Sequence, residues 1–417
     1  MVGRDAPAGA ARAHHREDEL MRHDDQPPYR ADHVGSLLRP PELLAAREDA
    51  ARGLISPADL RAREDAAIGD AVAMQAGIGL RSATDGEMRR ASWHMDFIYQ
   101  LGGISRSSQS MTVHFRNEAG EMEFTPPALV IDGRITLDHP IFLEDFKFLA
   151  EAVLPKGVPA EAAPSGAARS EAAPDETARS ATPKLTIPSP SMVHYRGGRA
   201  AVDERVYPDL EGFFDDLSAA YAAEIAALGA AGCTYLQLDD TSLAYLNDPA
   251  QRAALAARGD DPDTQHLRYI RQLNAALADR PAGMRVTVHL CRGNFRSAWA
   301  AEGSYEHVAE ALFSELDVDG FFLEFDDERS GGFEPLRFVP PSKQVVLGLV
   351  TTKRPALESK DVLKRRIEEA SRVLPLEQLC LSPQCGFSST LEGNDLTIDD
   401  EVAKLRLVVE TAADVWG

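Results

Sequence analysis

Short apolar runs alternate with longer amphipathic stretches along most of the chain. Apolar runs that end in polar residues are typical of buried parallel strands, and the stretches between them carry helical spacing. Helices are predicted at residues 41–76, 210–231, 264–278, 305–316, 360–373 and 398–415. Strands are predicted at residues 31–36, 80–87, 185–190, 234–240, 285–291, 320–325, 344–350 and 379–383. Strands that are mostly followed by helices predict an α/β fold, here a (β/α)8 TIM barrel.

Three stretches depart from this alternation. Residues 111–135 are predicted to form a β-hairpin excursion off the barrel. Residues 156–184 are rich in Ala, Pro, Ser and Glu and lack aromatic residues, so they bury too little apolar surface to offset their ordering entropy. They are either a linker between two domains or a flexible segment inserted into one, and a single barrel over 29–417 favours the insertion. Residues 1–28 are predicted to be a disordered tail.

Composition narrows the class of protein. The 417 residues are 44% hydrophobic and 26% charged, which is ordinary for a globular chain. The net charge of −22 disfavours nucleic acid and anionic membranes as partners. No apolar run reaches the roughly 20 residues that span a bilayer, and no secretory signal is apparent. Four cysteines are too few for a disulfide framework in a chain of this length, so a reducing, cytoplasmic location is predicted. Cys233 and Cys380 are predicted to pack in the core.

Candidate metal ligands fall at strand ends, where TIM barrels carry their chemistry. His289 and Cys291 are two residues apart on a predicted strand, so their side chains share one face. Glu324 ends the next strand, and Cys385 follows the last one. Barrel closure would bring all four together as nitrogen, sulfur and oxygen donors, a set that zinc accepts.

Each of these residues also has a structural interpretation. His289 and Cys291 would then be a hydrogen-bonded core histidine and its buried neighbour. Glu324, preceded by apolar residues, would be a strand-end acid paired with an arginine, because a buried carboxylate requires a cation or a donor. Cys385 would be a turn residue before Gly386.

The segments VGS, DGE, QLDD, HLC, the LEF glutamate and SPQCG occur in this order over about residues 30–417. Together they resemble the catalytic barrel of cobalamin-independent methionine synthase. The resemblance implies a TIM barrel that binds one zinc ion and transfers a methyl group to homocysteine. It also implies that His289, Cys291, Glu324 and Cys385 are the zinc ligands.

The same resemblance implies a set of substrate contacts. Gly35 and Ser36 match a segment that contacts the amino acid substrate. Glu87 and Asp239 match the carboxylates that hold its amino group, although either acid could instead cap a helix or pair with an arginine. Tyr195 falls near an aromatic position that contacts the folate.

The chain departs from the family pattern in three places. Full-length members carry a second, N-terminal barrel that this chain has no room for, so the single-barrel relatives are the closer resemblance. Family members carry a proton-donating histidine in the segment where this chain offers Lys353. Lys353 would be the acid in its place, a ligand for an anion or a solvated side chain. Asp239 is the other candidate for a catalytic role. It forms an acidic pair with Asp240, which lacks the proline that usually follows the second acid in the family. His94 is expected to be packed rather than to face the site.

The predicted function is therefore zinc-dependent methyl transfer to the thiol of homocysteine, giving methionine. Zinc would lower the pKa of the thiol, so that the nucleophilic thiolate exists at neutral pH. The donor would be a methylated folate, or a methyl-corrinoid carried by a partner protein. The alternatives are alkyl transfer to another thiol, a zinc hydrolase or decarboxylase, and a non-catalytic protein with a structural zinc.

Overall fold

The computed structural model describes residues 26–107, 112–117, 120–125, 128–154 and 181–417. Most of the predicted tail and of the predicted inserted segment lies outside these residues. The last two residues of the tail, Pro27 and Pro28, are described and are buried. A strand begins at Thr182, so the last residues of the predicted inserted segment, 182–184, belong to the sheet.

Parallel strands form one curled sheet, which confirms the α/β class. In the described residues its order is β1-β6-β7-β8-β9-β10-β11, and every neighbouring pair is parallel. These strands are β1 (Ser82–Ala83), β6 (Thr182–Pro188), β7 (Tyr235–Asp240), β8 (Arg285–Leu290), β9 (Gly320–Glu324), β10 (Gln344–Val350) and β11 (Leu379–Pro383). Each overlaps one of the predicted strands.

Helices follow most of these strands and cover the sheet. They are α1 (Pro41–Ala51), α2 (Pro57–Gly77), α3 (Met95–Ile98), α4 (Leu143–Ala152), α5 (Ser191–Tyr195), α6 (Leu210–Ala230), α7 (Ser242–Tyr245), α8 (Pro249–Ala257), α9 (Gln265–Leu277), α10 (Ala309–Glu315), α11 (Lys360–Ser371) and α12 (Ile398–Trp416). Short 3-10 turns lie at Gly198–Ala201, Tyr305–His307, Glu328–Ser330, Glu334–Phe338 and Leu376–Gln378. In the described part of the chain, no helix is long and apolar enough to cross a membrane.

The predicted first strand, residues 31–36, is a single parallel bridge between Ala31 and Leu381 of β11. The following residue, Asp32, is fully buried in the curl of the sheet. Its carboxylate accepts hydrogen bonds from Ser82 at 2.9 Å, Tyr235 at 2.8 Å and Lys184 at 3.3 Å. Residues 31–36 were expected to form a regular strand. Side-chain contacts to β1, β6 and β7 therefore hold this segment in place instead of regular strand pairing.

The predicted helix over residues 41–76 is two helices. Gly53 adopts a φ of +71°, a left-handed conformation that ends α1 and that glycine adopts without strain. Ser56 then caps α2 in a reciprocal capping box with Asp59, and Pro57 occupies the first turn. These local signals outweigh the helical periodicity that runs across them.

The β-excursion predicted at residues 111–135 is present as antiparallel pairs. Strands β2 (Gly102–Ser107) and β5 (Ala128–Thr136) pair with each other, as do β3 (Val113–Asn117) and β4 (Gly120–Phe124). Arg116 of β3 exchanges backbone hydrogen bonds with Trp299, in the loop after β8. The hairpin is thereby fastened to the carboxyl-terminal side of the sheet.

Gly348 of β10 lies close to backbone atoms on both of its sides. A Cβ there would lie 2.7 Å from both Leu323 O and Gln384 Cα. We expect Gly348→Ala to destabilise the protein by roughly 1–3 kcal/mol, because backbone atoms on both sides cannot move away. Urea denaturation measures this change. Gly69→Ala, in an uncrowded position of α2, is the control and should be neutral or stabilising by up to about 1 kcal/mol. Equal midpoints for Gly348→Ala and the parent would contradict the expectation.

Candidate metal centre

Three side chains that could hold a metal ion, here called the metal-binding group, converge at the carboxyl-terminal ends of β8 and β11. The donor atoms of His289, Cys291 and Cys385 all lie within 4.8 Å of one another. The two Sγ atoms are 2.9 Å apart, and both cysteines are free and buried. His289 and Cys291 lie on the same face, as their two-residue spacing along a strand predicts. The curl of the sheet brings Cys385 beside them.

The orientation of His289 is set by the neighbouring strand. Asp239 is its register partner on β7, and its Oδ1 atom accepts a hydrogen bond from His289 Nδ1 at 3.1 Å. The same oxygen accepts from Gln237 at 2.7 Å. His289 Nε2 is buried without a hydrogen-bond partner. A carboxylate on Nδ1 leaves the Nε2 lone pair available, which is the usual arrangement of a metal-binding histidine.

The metal-free donors hold their protons strongly. Burial alone lowers the pKa of His289, but the hydrogen bond to Asp239 and the proximity of Cys385 outweigh it and raise the pKa to about 10. Burial, together with the adjacent Cys291, raises the pKa of the Cys385 thiol well above its ordinary value. A cation bound here would therefore displace protons from the site.

Glu324, at the end of β9, is fully buried beside this group but is not one of the three clustered donors. Its Oε2 accepts from the Arg292 backbone N–H at 2.8 Å, and its Oε1 contacts Arg329 and, at 3.4 Å, Lys353. Burial raises the pKa of Glu324, but the charges of Lys353 and Arg329 prevail and lower it. The arginine pairing that the sequence left open is therefore present.

Lys353 lies behind the metal-binding group. It is 6% exposed, which excludes a solvated side chain. Its Nζ donates to Gln384 Oε1 at 2.8 Å, and Gln384 Nε2 donates to Cys385 Sγ at 3.2 Å and to Glu324 Oε1 at 3.3 Å. Burial lowers the pKa of Lys353, but the charges of Glu324 and Cys385 give a net increase. Lys353 thus contacts the metal-binding group through one amide.

A cavity of about 270 Å³ opens directly beside these donors. One part of its wall is polar and contains Ser36, Glu87, Asp239, His289 and Cys291. Another part is aromatic and contains Trp93, Tyr99, Phe115, Phe124, Tyr245 and Phe295. Phe115 and Phe124 come from the β3–β4 hairpin, and the Phe124 ring stacks on Phe295 at 4.2 Å. The hairpin therefore closes one side of the site.

Glu87 lines this cavity and has a carboxylate oxygen without a hydrogen-bond partner. Its Oε1 accepts from Thr186 at 2.9 Å and from Arg90 at 3.3 Å, while its Oε2 is buried without a partner. The backbone φ of Glu87 is +57°, a strained value for a residue with a side chain. Arg39 donates to its carbonyl at 2.9 Å and helps hold that conformation. Burial raises the pKa of the Glu87 carboxyl, with Arg90 opposing.

Ser36 lies against the loop that carries Cys385, and Gly35 lies against Thr186 of β6. Gly35 has a φ of +147°, and a Cβ on it would lie 2.6 Å from the Thr186 side chain. Ser36 lines the cavity, and a Cβ on Gly386 would lie 1.9 Å from its Oγ. Gly35 therefore allows the chain to approach β6, and Gly386 allows the loop after β11 to approach Ser36 at the site.

Tyr195 does not line the main cavity. It is buried beside an adjoining chamber of about 600 Å³, where its hydroxyl donates to Gln251 at 3.3 Å. His94 was expected to be packed, and it is buried with its ring tilted against that of Trp93, at 4.4 Å between ring centroids. It also lines the cavity, and its Nε2 has no hydrogen-bond partner.

Two further arginines were not singled out from the sequence. Arg39 is buried and donates to the backbone of both Glu87 and Ser388, which joins the two ends of the site. Arg196 lines the main cavity and the adjoining chamber. Neither lies in a strand-end motif, although the sequence HYRGGR places Arg196 directly beside Tyr195.

Comparisons with known proteins agree with this architecture. Residues 203–414 match the family model described as the cobalamin-independent synthase catalytic domain. The uncharacterised protein YxjH of Bacillus subtilis is 43% identical over 93% of this chain and 95% of its own length. A solved structure from Listeria monocytogenes, assigned provisionally to vitamin-B12-independent methionine synthases, aligns with a TM-score of 0.70 and 36% identity over 94% of this chain and 98% of that one.

A more distant relative is the 5-methyltetrahydropteroyltriglutamate–homocysteine methyltransferase of Mycobacterium leprae. It is 21% identical over 96% of this chain but over only 45% of its own length. This chain therefore spans about half the length of that relative.

The elevated pKa of His289 predicts how the metal-free protein responds to pH. The folded imidazole keeps its proton up to about pH 10, whereas the unfolded one loses it near 6.5. The stabilisation is complete below about pH 6.5 and is lost as the pH rises through 10, and the raised pKa of Cys385 acts in the same direction. Thermal unfolding of chelator-treated protein should therefore show a Tm that falls over this range.

Asp239→Asn removes the negative charge that helps to raise this pKa, so the decline of Tm with pH should become shallower. Asp70→Asn, on the exposed face of α2, is the matched control and should leave the slope unchanged. A slope that is equally steep in Asp239→Asn would show that the pair does not hold the proton.

Proposed function

The chain belongs to the cobalamin-independent methionine synthase catalytic-domain family, and on that premise we propose that it transfers a methyl group to the thiol of homocysteine, with zinc, to form methionine. One observation carries the proposal. An unpartnered imidazole nitrogen and two thiols converge beside a cavity that also presents two carboxylates. An open cavity beside the donors favours this function over a purely structural metal site.

The donors fit zinc. His289 Nε2, Cys291 Sγ and Cys385 Sγ would hold the ion, and three protein ligands with an adjoining cavity are typical of catalytic zinc. We propose Glu324 as a fourth ligand, because the Gln384 amide donates hydrogen bonds to both Glu324 Oε1 and Cys385 Sγ and so links the two residues. Bound zinc supplies a Lewis acid that lowers the pKa of a substrate thiol. Two thiolates keep such a site electron-rich and disfavour the hydrolase alternative.

The polar wall of the cavity suits an amino acid acceptor. Glu87 Oε2 has no partner, and Asp239 lines the same wall with its Oδ1 already held by His289 and Gln237. Two carboxylates facing one cavity would bind an ammonium group through charge-assisted hydrogen bonds. We propose that they orient homocysteine, with Ser36 contacting the rest of its amino acid portion.

The aromatic wall suits a flat methyl donor, and we propose a methylated folate. In the reaction the donor N–CH₃ bond breaks, the S–CH₃ bond forms, and the departing nitrogen takes up a proton. Lys353 remains a proposal for that acid; it does not itself line the main cavity, so its Nζ would have to leave Gln384 to reach the departing nitrogen. The free, buried cysteines are consistent with a reducing cytoplasm.

We further propose that residues 30–36 complete a (β/α)8 barrel as its first crossing. On one side the backbone of Asp32 and Arg30 bonds to Leu381, at 3.0 and 2.8 Å. On the other side the Thr84 hydroxyl donates to Gly35 O at 2.6 Å. These bonds span the gap between the two edges of the curled sheet.

Zinc content tests the metal centre directly. Purified parent protein should contain about one zinc per chain by mass spectrometry, and Cys385→Ser should contain little. Cys233→Ser is the matched control, because Cys233 is equally buried but donates to Tyr235 O and belongs to the core. Loss of zinc from both variants, or from neither, would contradict the assignment.

Methionine formation tests the reaction. Zinc-loaded parent protein should form methionine from homocysteine and 5-methyltetrahydrofolate, and Cys385→Ser should lose at least about 100-fold in rate. Turnover with a methyl-corrinoid and none with methylfolate would contradict the proposal that the donor is a methylated folate. Activity without any thiol acceptor would favour the hydrolase class.

Substitution of Glu87 tests how the acceptor is recognised. Glu87→Gln should raise the KM for homocysteine about 10-fold or more, since it removes one charge from the ammonium site. The parent should strongly prefer homocysteine over 4-sulfanylbutanoate, which lacks the amino group, and the variant should lose most of that preference. Glu144→Gln, at an exposed position, is the control. An unchanged preference in Glu87→Gln would assign the carboxylate a structural role only.

A further inference from the structure

One buried guanidinium joins the loop that carries Glu87 to the loop that carries Cys385. Arg39 lies just before α1 and is 5% exposed. Its Nη2 atom donates to the backbone oxygens of Glu87 at 2.9 Å and Arg90 at 3.2 Å. Its Nη1 atom donates to Ser388 O and, at 2.6 Å, to Ser388 Oγ. A single side chain therefore binds the loop after β1 on one side and the loop after β11 on the other.

None of these acceptors of Arg39 is a carboxylate. Neutral carbonyl and hydroxyl groups offset the desolvation of a buried cation less well than an acid would. Burial accordingly lowers the pKa of Arg39 to about 10, although the charge of Glu87 opposes this change. Arg39 still carries its charge at neutral pH. What it supplies is a rigid plane with donors on two edges, which fixes the separation of the groups that it binds.

The loop after β1 depends on Arg39 for a contact from outside. Glu87 holds a φ of +57°, and such a conformation persists only where the surroundings fix it. Its N–H donates to Asp85 Oδ1 at 2.9 Å, and its carbonyl accepts from the Arg90 N–H at 3.0 Å. Both of these bonds are local to the loop, whereas Arg39 reaches the same carbonyl from another segment. Arg39 thus fixes Glu87 relative to the rest of the site.

The loop after β11 is bound to the same segment. Ser388 lies three residues after Cys385, and its Oγ donates to Thr390 O at 2.8 Å while it accepts from Arg39. The Phe387 N–H donates to Ser36 O at 2.9 Å. The segment that holds Glu87 therefore also determines where the Cys385 loop lies.

We propose that Arg39 is a positioning residue that sets the separation between Glu87 and Cys385, and that this separation selects the chain length of the thiol acceptor. The inference rests on the proposed function, in which the acceptor's ammonium group meets Glu87 and its sulfur meets the ion that Cys385 helps to hold. Among the described residues, Arg39 is not one that lines the cavity, so it acts through the two loops.

The chemical reason is that the ammonium group and the sulfur belong to one small molecule. The gap between the two loops must match the number of carbons between nitrogen and sulfur. Cysteine is one methylene shorter than homocysteine, so it can satisfy one end of the site but not both. A site that holds both ends at a fixed separation rejects the shorter and the longer homologue.

Isothermal titration calorimetry of the zinc-loaded full chain tests this selection without turnover. The probes are cysteine, homocysteine and 2-amino-5-sulfanylpentanoate, which is one methylene longer. The parent should bind homocysteine about 10-fold or more tightly than either homologue. Arg39→Lys keeps the charge but cannot span both loops, so the preference should fall to within about 3-fold. Zinc content by mass spectrometry should remain at the parent level, since the three donors are unchanged.

Arg285→Lys is the matched control and should keep the full preference. Arg285 begins β8, at the opposite end of the sheet, where its side chain donates to Pro27 O at 3.0 Å and pairs with Asp319 at 2.8 Å. Urea denaturation checks that each variant is folded. If Arg39→Lys is not, Ser388→Ala removes one contact of the guanidinium and should weaken the preference in part.

A parent that binds the three thiols equally would overturn the inference. So would a folded Arg39→Lys that binds all three more weakly by the same factor, since Arg39 would then only stabilise the fold.

Steady-state kinetics separate this inference from the proposed function. With methylfolate, Arg39→Lys should raise the ratio of kcat/KM for cysteine to that for homocysteine about 3-fold or more. Methionine formation by the parent, with an undiminished homocysteine preference in Arg39→Lys, would reject the positioning role and keep the methyltransferase. A chain-length preference that depends on Arg39, in a parent that transfers no methyl group from either donor, would keep the positioning role and reject the reaction.

Discussion

The buried carboxylate of Asp32 is the contact on which the curl of the sheet depends. It is fully enclosed and accepts hydrogen bonds from Ser82, Lys184 and Tyr235, which belong to β1, β6 and β7. A buried ion pair is tolerable only when its hydrogen bonds are complete, so this network strongly constrains where residue 32 can lie. Three residues later the chain reaches Gly35 and the rim of the site, where the first and last described crossings meet.

At the rim, each charged group is held by a different neighbour. Asp239 is bound to His289, while Glu324 faces Arg329 and Lys353. This division leaves His289 Nε2 and Glu87 Oε2 buried without hydrogen-bond partners, in two residues that line the cavity. Native proteins rarely leave such atoms unpaired without a functional reason. These are the atoms at which we propose that a metal ion and a cationic substrate group bind.

Much of this could be predicted because it depends on local patterns. The two-residue spacing of His289 and Cys291 places them on one face of any strand, and the strand-end rule for barrels adds Cys385. The split between α1 and α2 was also predictable, since the sequence shows both Gly53 and the Ser56 capping box. The counter-ions of Glu324 were not, because Arg329 and Lys353 reach it from two different loops.

The sequence by itself determined the order of strands and helices, the donor chemistry at the strand ends and the family. Those properties follow from residue type and short spacing. Only the tertiary structure decided that Glu324 is held by cations, that Lys353 lies behind Gln384, and that Arg196 stands unpaired between two chambers. The reason is physical: the free energy of a buried charge depends on every group around it, and those groups come from distant parts of the chain.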